Sequence, residues 1–171
     1  MSTGIITDPM SFEETLQPGS AIDLSLGNPQ TVYLRGGTYS GQIVNELIRT
    51  AGTRVTFEAY RGERAIIDGR WDDLGAHCTF KDIEFTHSSW TTRVSEETGS
   101  NPTDMPDGRL FVRSPGAVYI NCIFHNTYGA YFGAESVGAV YYGCLSYHNG
   151  WNAPDRPHGH GYYCQNDDPV I

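Results

Sequence analysis

Gly116-Ala117-Val118-Tyr119-Ile120-Asn121-Cys122-Ile123-Phe124-His125-Asn126 and Gly138-Ala139-Val140-Tyr141-Tyr142-Gly143-Cys144-Leu145-Ser146-Tyr147-His148-Asn149 are two copies of one pattern, with Cys122 and Cys144 22 residues apart. A fainter copy begins at Gly75-Ala76 and runs through Cys78-Thr79-Phe80-Lys81-Asp82-Ile83-Glu84-Phe85. The step persists toward the N-terminus, because Val32 to Val55 and Val55 to Cys78 are each 23 residues. A fixed period of this size means stacked units, none of which can bury a core alone. The sequence therefore predicts a solenoid, which confines function to its faces and to the loops that leave it.

The units are strands. The 171 residues include 20 Gly, 9 Pro and 11 Tyr, and short apolar runs bounded by Gly, Asn, Asp and Pro dominate. The length fits one domain. Residues 1–29 read as an N-terminal cap, since the first unit of a solenoid exposes apolar surface and unpaired strand edges. Within it, Ser11-Phe12-Glu13-Glu14-Thr15-Leu16 predicts a short helix with Ser11 as N-cap and Glu14 completing a capping box; Pro18-Gly19 ends it.

A net charge of −9 argues against a nucleic-acid partner. No run of 18 apolar residues predicts a membrane span, and Met1–Asp8 lacks the basic and apolar regions of a signal peptide. The four cysteines, at 78, 122, 144 and 164, form no CxxC pair and are expected to be free thiols, with Cys122 and Cys144 sharing a phase. His125 and His148 are expected at a turn edge beside Asn126 and Asn149, with the asparagines forming a side-chain ladder.

Two segments break the period, Ser88–Asp107 and Trp151–His160. Both lead into the same strand of the repeat, represented by Leu110-Phe111-Val112-Arg113, Ala130-Tyr131-Phe132-Gly133 and Tyr162-Tyr163-Cys164-Gln165. Side chains alternate across a strand. With Leu110, Val112, Ala130, Phe132, Tyr162 and Cys164 inward, Phe111, Tyr131 and Tyr163 form an outward aromatic column. Arg113, Gly133 and Gln165 form the next column, where Gly133 keeps the floor low. Two long loops beside such a column make a groove suited to sugar rings. Within the second loop, Trp151, Asp155, Arg156, His158 and His160 are the densest cluster of functional side chains, and His160 and Asp155 are the candidates for proton transfer. The plainer alternatives are aromatic stacking without a ligand and a loop anchored by Trp151 whose histidines bond the backbone. His158 and His160 have no evident third ligand, so no metal site is predicted.

The stretches TVYLRGGTYSGQI (31–43), VTFEAYRGERAIIDG (55–69), CTFKDIEFTHS (78–88) and NGWNAPDRPHGHGYYCQND (149–167) resemble bacterial and viral right-handed parallel β-helix proteins of the pectate-lyase-like superfamily. The resemblance spans about Gln30 to Asp168. It implies an all-β fold, a right-handed parallel β-helix built as a single-stranded solenoid, with its N-terminal cap at 1–29 and coils over 30–171 carrying the loops at 88–107 and 151–160. It also implies that coils continue past Asp167-Asp168-Pro169-Val170-Ile171, or that a homo-oligomer or larger assembly covers the open last coil. Enzymes of the superfamily abstract a proton beside a uronate carboxylate with an Arg or Lys base and often use calcium. Arg113 is the candidate here, but no set of three or four carboxylates on successive coils resembles the family's Ca2+ site, nor do two outward carboxylates pair for glycoside hydrolysis.

The sequence thus predicts polysaccharide recognition, with lyase-like or hydrolase-like cleavage left open, outside the cell or on a virion surface. Phe111, Tyr131, Tyr163 and Trp151 would contact sugars, Gln165 a hydroxyl and Arg113 a carboxylate. The competing expectation is a non-catalytic virion spike, decoration domain or filament module.

Overall fold

Runs such as Val55-Thr56-Phe57-Glu58-Ala59 alternate in the way that lets an extended chain bury one face, and Val55, Phe57 and Ala59 are buried. The computed structural model describes residues 12–19, 29–133 and 135–165, apart from the side chains of residues 14 and 130–132. Its strands follow one another in five similar passes. The first holds β1 (Gln30–Leu34) and β2 (Gly37–Asn45), the second β3 (Val55–Ala59) and β4 (Ala65–Asp73). The third holds β5 (Cys78–Lys81), β6 (Ile83–Thr86) and β7 (Leu110–Val112), the fourth β8 (Val118–Ile120), β9 (Ile123–His125) and β10 (Gly129–Phe132). The fifth holds β11 (Val140–Tyr142), β12 (Leu145–Tyr147), the short strands β13 (Trp151–Asn152) and β14 (Pro157–His158), and β15 (His160–Cys164).

Two parallel sheets result. One has the order β1-β3-β5-β8-β11, a strand from each pass in sequence. The other has the order β12-β9-β6-β4-β7-β10-β15, with β2 also paired to β4. The long strand β4 pairs with β6 through Ala65–Asp68 and with β7 through Trp71–Asp73, so the second sheet carries two faces that meet near Gly69. Gly69 has φ +141, and a Cβ there would lie 2.2 Å from the carbonyl oxygen of Gly41 on the adjacent strand, so only glycine allows the two backbones this approach. In later passes the chain leaves the sheet at this corner, by the loop at 87–109 and by the loop at 148–159. This all-β, parallel architecture is compatible with a solenoid.

The expected register needs a two-residue correction at two places. Val32 lies opposite Phe57 instead of Val55, whereas Val55 lies opposite Cys78 as the period gives it. Likewise Thr79 lies opposite Val118, so that His77, not Gly75, comes level with Gly116. The pairs Val118–Val140 and Ala130–Tyr162 stand as the period gives them. At the corner between the sheets, Asp82, Asn121 and Gly143 adopt φ of +57, +50 and +66. The Asn121 amide donates to Asp82 at 3.3 Å, a corner ladder the sequence did not disclose. The expected ladder of Asn126 and Asn149 does not form. Asn149 accepts from the Thr127 N–H and hydroxyl at 3.1 and 3.0 Å, while Asn126 meets the Arg93 guanidinium. His125 sits within β9, stacked on Tyr147 at 5.0 Å and 2.9 Å from Glu84, whereas His148 is the turn residue, with φ +51.

The interior is a stack of rings. Phe57, Phe80, Tyr119 and Tyr141 follow one another at 5.5, 5.1 and 5.0 Å between centroids, and Phe85 stacks on Phe124 at 5.1 Å. Each such pair adds roughly 0.5–1.5 kcal/mol beyond simple burial. The helix α1 (Phe12–Thr15) brings Phe12 and Leu16 into this core, Phe12 lying parallel to Trp71. Ser11, the expected N-cap, and residues 167–171, where the coils are expected to continue, lie outside the described residues. All four cysteines are free. Among the described residues no helix is long and apolar enough to cross a membrane.

One carboxylate interrupts the apolar stack. Asp73 is fully buried and accepts from the Asn45 amide at 2.7 Å and the Tyr119 hydroxyl at 2.9 Å, while Trp71 donates to that hydroxyl at 3.0 Å. Burial pushes the Asp73 carboxyl up to about 6 from an ordinary 3.8, against the pull of these hydrogen bonds. Between those two values the folded chain holds a proton that the unfolded chain has released. Stability from this group is therefore present below pH 4 and declines as pH rises through 6, by about 3 kcal/mol in total. Chemical denaturation of wild type and Asp73→Asn from pH 4 to 7 checks this: the variant should gain on the wild type across the window, and a constant difference would refute the assignment.

Candidate functional site

Strands β7, β10 and β15 form the floor of a cleft. Leu110 and Val112 are buried, which turns Phe111 outward between them. Tyr131 pairs with Phe111 on one side and Tyr163 on the other, so the three positions form the column expected from alternation. The walls are the loops at 87–109 and 148–159. The second is slightly offset from the expected 151–160: it contains the antiparallel pair β13–β14, and His160 already belongs to strand β15. The cleft between the walls has a volume of about 630 Å³.

The walls hold each other. Trp90, Met105 and Trp151 form a second small core, with Tyr128 and Ala153 packed against it. Trp151 lies 4.6 Å from Tyr128, 6.1 Å from Trp90 and 5.1 Å from His158, whose ring it stacks on at 13°. Backbone bonds join the loops directly: Asn152 N–H donates to Arg93 at 2.8 Å, and Ser95 N–H donates to Asn152 at 2.9 Å. The Arg93 guanidinium also reaches the Gly150 carbonyl at 3.2 Å. Within the first loop, Glu97 accepts from the N–H and hydroxyl of Thr103, and Asp104 accepts from Ser95 and the Glu96 N–H. Loop carboxylates thus fold the wall.

Four of the expected residues line the cleft: Phe111, Tyr163, Trp151 and His160. Trp151 is only 5% exposed, so most of its ring joins the walls and one edge remains for the cleft. His160 stacks on Tyr163 at 5.0 Å. The other expected residues stand elsewhere. The Arg113 guanidinium lies over the Phe111 ring at 4.4 Å and is not part of the lining. The low floor expected at Gly133 is filled by Glu135, whose carboxylate a Cβ would meet at 2.6 Å. The Gln165 amide donates to the Tyr163 hydroxyl at 3.3 Å. The Tyr131 side chain lies outside the described ones.

Asp155 and His160 are not brought together. The Asp155 carboxylate meets Nε2 of His158 at 3.1 and 3.2 Å and receives the Gly99 N–H at 3.4 Å, tying one wall to the other. The His158 bond, reinforced by Gly99, holds the Asp155 carboxyl below its ordinary value. His158 is buried against Trp151 and presents an edge to the cleft. An imidazole oriented by a carboxylate has the geometry for moving a proton.

Arg156 and His158, both in the loop cluster expected from the sequence, also line the cleft, as do Arg109, Tyr128 and Asn101, which sequence reasoning did not single out. Arg109 was within reach of it, being two residues before Phe111 and hence in the same outward phase. Tyr128 is half-buried, and burial, then the nearby Asp107 charge, pushes its hydroxyl up. Among the described residues, no three His, Cys, Asp or Glu side chains gather as a metal would require. Comparison with protein-family models, curated proteins and solved structures finds no match to this chain.

Trp151→Ala should separate the walls while sparing the floor. Removing a buried Trp costs about 3 kcal/mol or more in well-packed sites. The expected result is retained far-UV β signal with new proteolytic cuts within 87–109; protection of that loop equal to wild type would show that Trp151 does not hold it.

Proposed function

We propose that the chain is a right-handed parallel β-helix whose loop-walled cleft binds a polysaccharide. The observation that carries this reading is the level placement of Phe111 and Tyr163 on the cleft floor, either side of the Tyr131 position. Two strand spacings separate them, roughly 10 Å. Flat rings at such an interval meet the apolar faces of sugar units along a polymer, and Asn101, Ser100 and His160 offer hydrogen bonds to hydroxyls. A protein of this kind acts where such polymers are, outside cells or on a virion.

Cleavage is the further part of the reading. The Asp155–His158 pair and His160 supply groups able to move a proton, and a uronate polymer would present an acidic one. The competing structural reading draws on a different observation: Tyr142, Leu145 and Tyr147 on the last described pass are 71%, 59% and 46% exposed, an apolar strip that suits packing against another subunit.

Calorimetry against a panel of oligosaccharides separates the two. Polymer recognition predicts binding of at least one sugar, weakened roughly tenfold by Tyr163→Ala and by Phe111→Ala. No binding across the panel, together with self-association that Tyr142→Ser and Tyr147→Ser abolish, would favour the structural module. Assays for new unsaturated ends and new reducing ends on the bound polymer then distinguish a lyase from a hydrolase.

A further inference from the structure

The cleft has a charge character that the chain as a whole does not share. With a net charge of −9, the protein nevertheless lines this cleft with Arg109 and Arg156, and no Asp or Glu is among the described lining residues. A local cationic site on an acidic chain favours anionic ligands through the nearby field, whatever the net charge.

Arg109 is held, whereas among the described residues no side chain is paired with the Arg156 guanidinium. The Nε and one Nη nitrogen of Arg109 donate to the two oxygens of Asp107, at 2.9 and 3.2 Å. Behind it, Arg70 donates to the same carboxylate at 2.9 Å and to Asp72 at 2.7 and 3.3 Å, and the Gln42 amide donates to Asp72 at 3.1 Å. Asp72 is only 4% exposed, so the chain of contacts ends at a fixed point in strand β4. An isolated exposed ion pair orients a side chain weakly. Here the pair is a bidentate fork, and Asp107 is itself fixed from behind, which aims the planar guanidinium and leaves its other Nη nitrogen for a ligand. The formal charges of Arg70, Arg109, Asp72 and Asp107 sum to zero, so Arg109 acts on an anion through its aimed donors at close range, and Arg156 supplies the positive charge in excess.

We propose that Arg109 selects ligands of this cleft by charge, for a polymer bearing carboxylate or sulfate groups, and that Asp107, anchored through Arg70 to Asp72, is the residue that positions it. The inference rests on the polysaccharide reading above. Arg156, from the opposite wall, adds attraction without fixed geometry.

The sign of one substitution separates this arrangement from simple charge. Removing a carboxylate beside an anion site should strengthen anion binding if only net charge matters. If Asp107 positions Arg109, Asp107→Asn should weaken it. The experiment is calorimetry of the full chain with length-matched neutral, uronate and sulfated oligosaccharides, on wild type, Arg109→Gln and Asp107→Asn, with thermal melts to verify folding. Both side chains are about half exposed, at 45% and 47%, so the variants should fold. Expected are at least tenfold tighter binding of one anionic class than of the neutral sugar, loss of that preference in Arg109→Gln, and a three- to tenfold loss in Asp107→Asn. Preference for uronate or for sulfate identifies which anion is read, and either supports the proposal. Unchanged or stronger anion binding in Asp107→Asn overturns the positioning role. Equal affinity for neutral and anionic sugars overturns charge selection while leaving the polysaccharide reading intact, and no binding of any oligosaccharide overturns both.

Discussion

Parallel pairing in register is the constraint from which the rest of the structure follows. Each pass must return its strands to the same level as the previous ones, because a slip by one residue would turn Phe80 or Tyr119 out of the core. Extra residues can therefore enter only where the chain is not paired. At the corner, β2 and β4 stay paired through Gly41 and Gly69, but the ladder from β4 to the next pass lapses between Asp68 and Trp71; there the chain departs, and in later passes it rejoins at Leu110 or His160. Both loops emerge on one side for this reason, and the cleft is a consequence of where register permits insertion.

The second constraint is that a loop away from the sheet must bury something of its own. Trp90, Met105 and Trp151 serve that need together with Tyr128. Neither loop has enough apolar surface to do so alone, so each wall depends on the other. Carboxylates take the remaining backbone donors, as Glu97, Asp104 and Asp155 do. In the walls the chain's acidity serves as a set of specific braces, and the cleft lining is free of carboxylates among the described residues.

The parts of this arrangement that were legible in the sequence are those governed by period and alternation. The repeat at Cys122 and Cys144 gives the stacked passes, and alternation about Leu110 and Val112 gives the column through Phe111, Tyr131 and Tyr163. The same reasoning mislaid Val32 and Gly75 by two residues, since a shift of two keeps every side chain on its face and leaves the apolar pattern unchanged. It also missed what periodicity cannot carry. The partner of Asp155 is His158 within an irregular loop, and Asp73 is bonded to Asn45 and Tyr119 from other passes. Arg113 obeyed its phase and still left the cleft, because the neighbouring Phe111 ring offers its guanidinium a face to lie on. Residue type and phase locate a side chain on a surface; the competing partners nearby decide where its end goes.

The shared wall core has a consequence for biosynthesis. Trp90 and Met105 leave the ribosome well before Trp151, and the strands β8 to β12 are made in between. Until Tyr128 and then Trp151 follow, the first wall holds an indole and a thioether that its own later partners have yet to cover. The nascent chain thus carries a sticky flap on an otherwise finished surface until the hairpin of β13 and β14 arrives to close it.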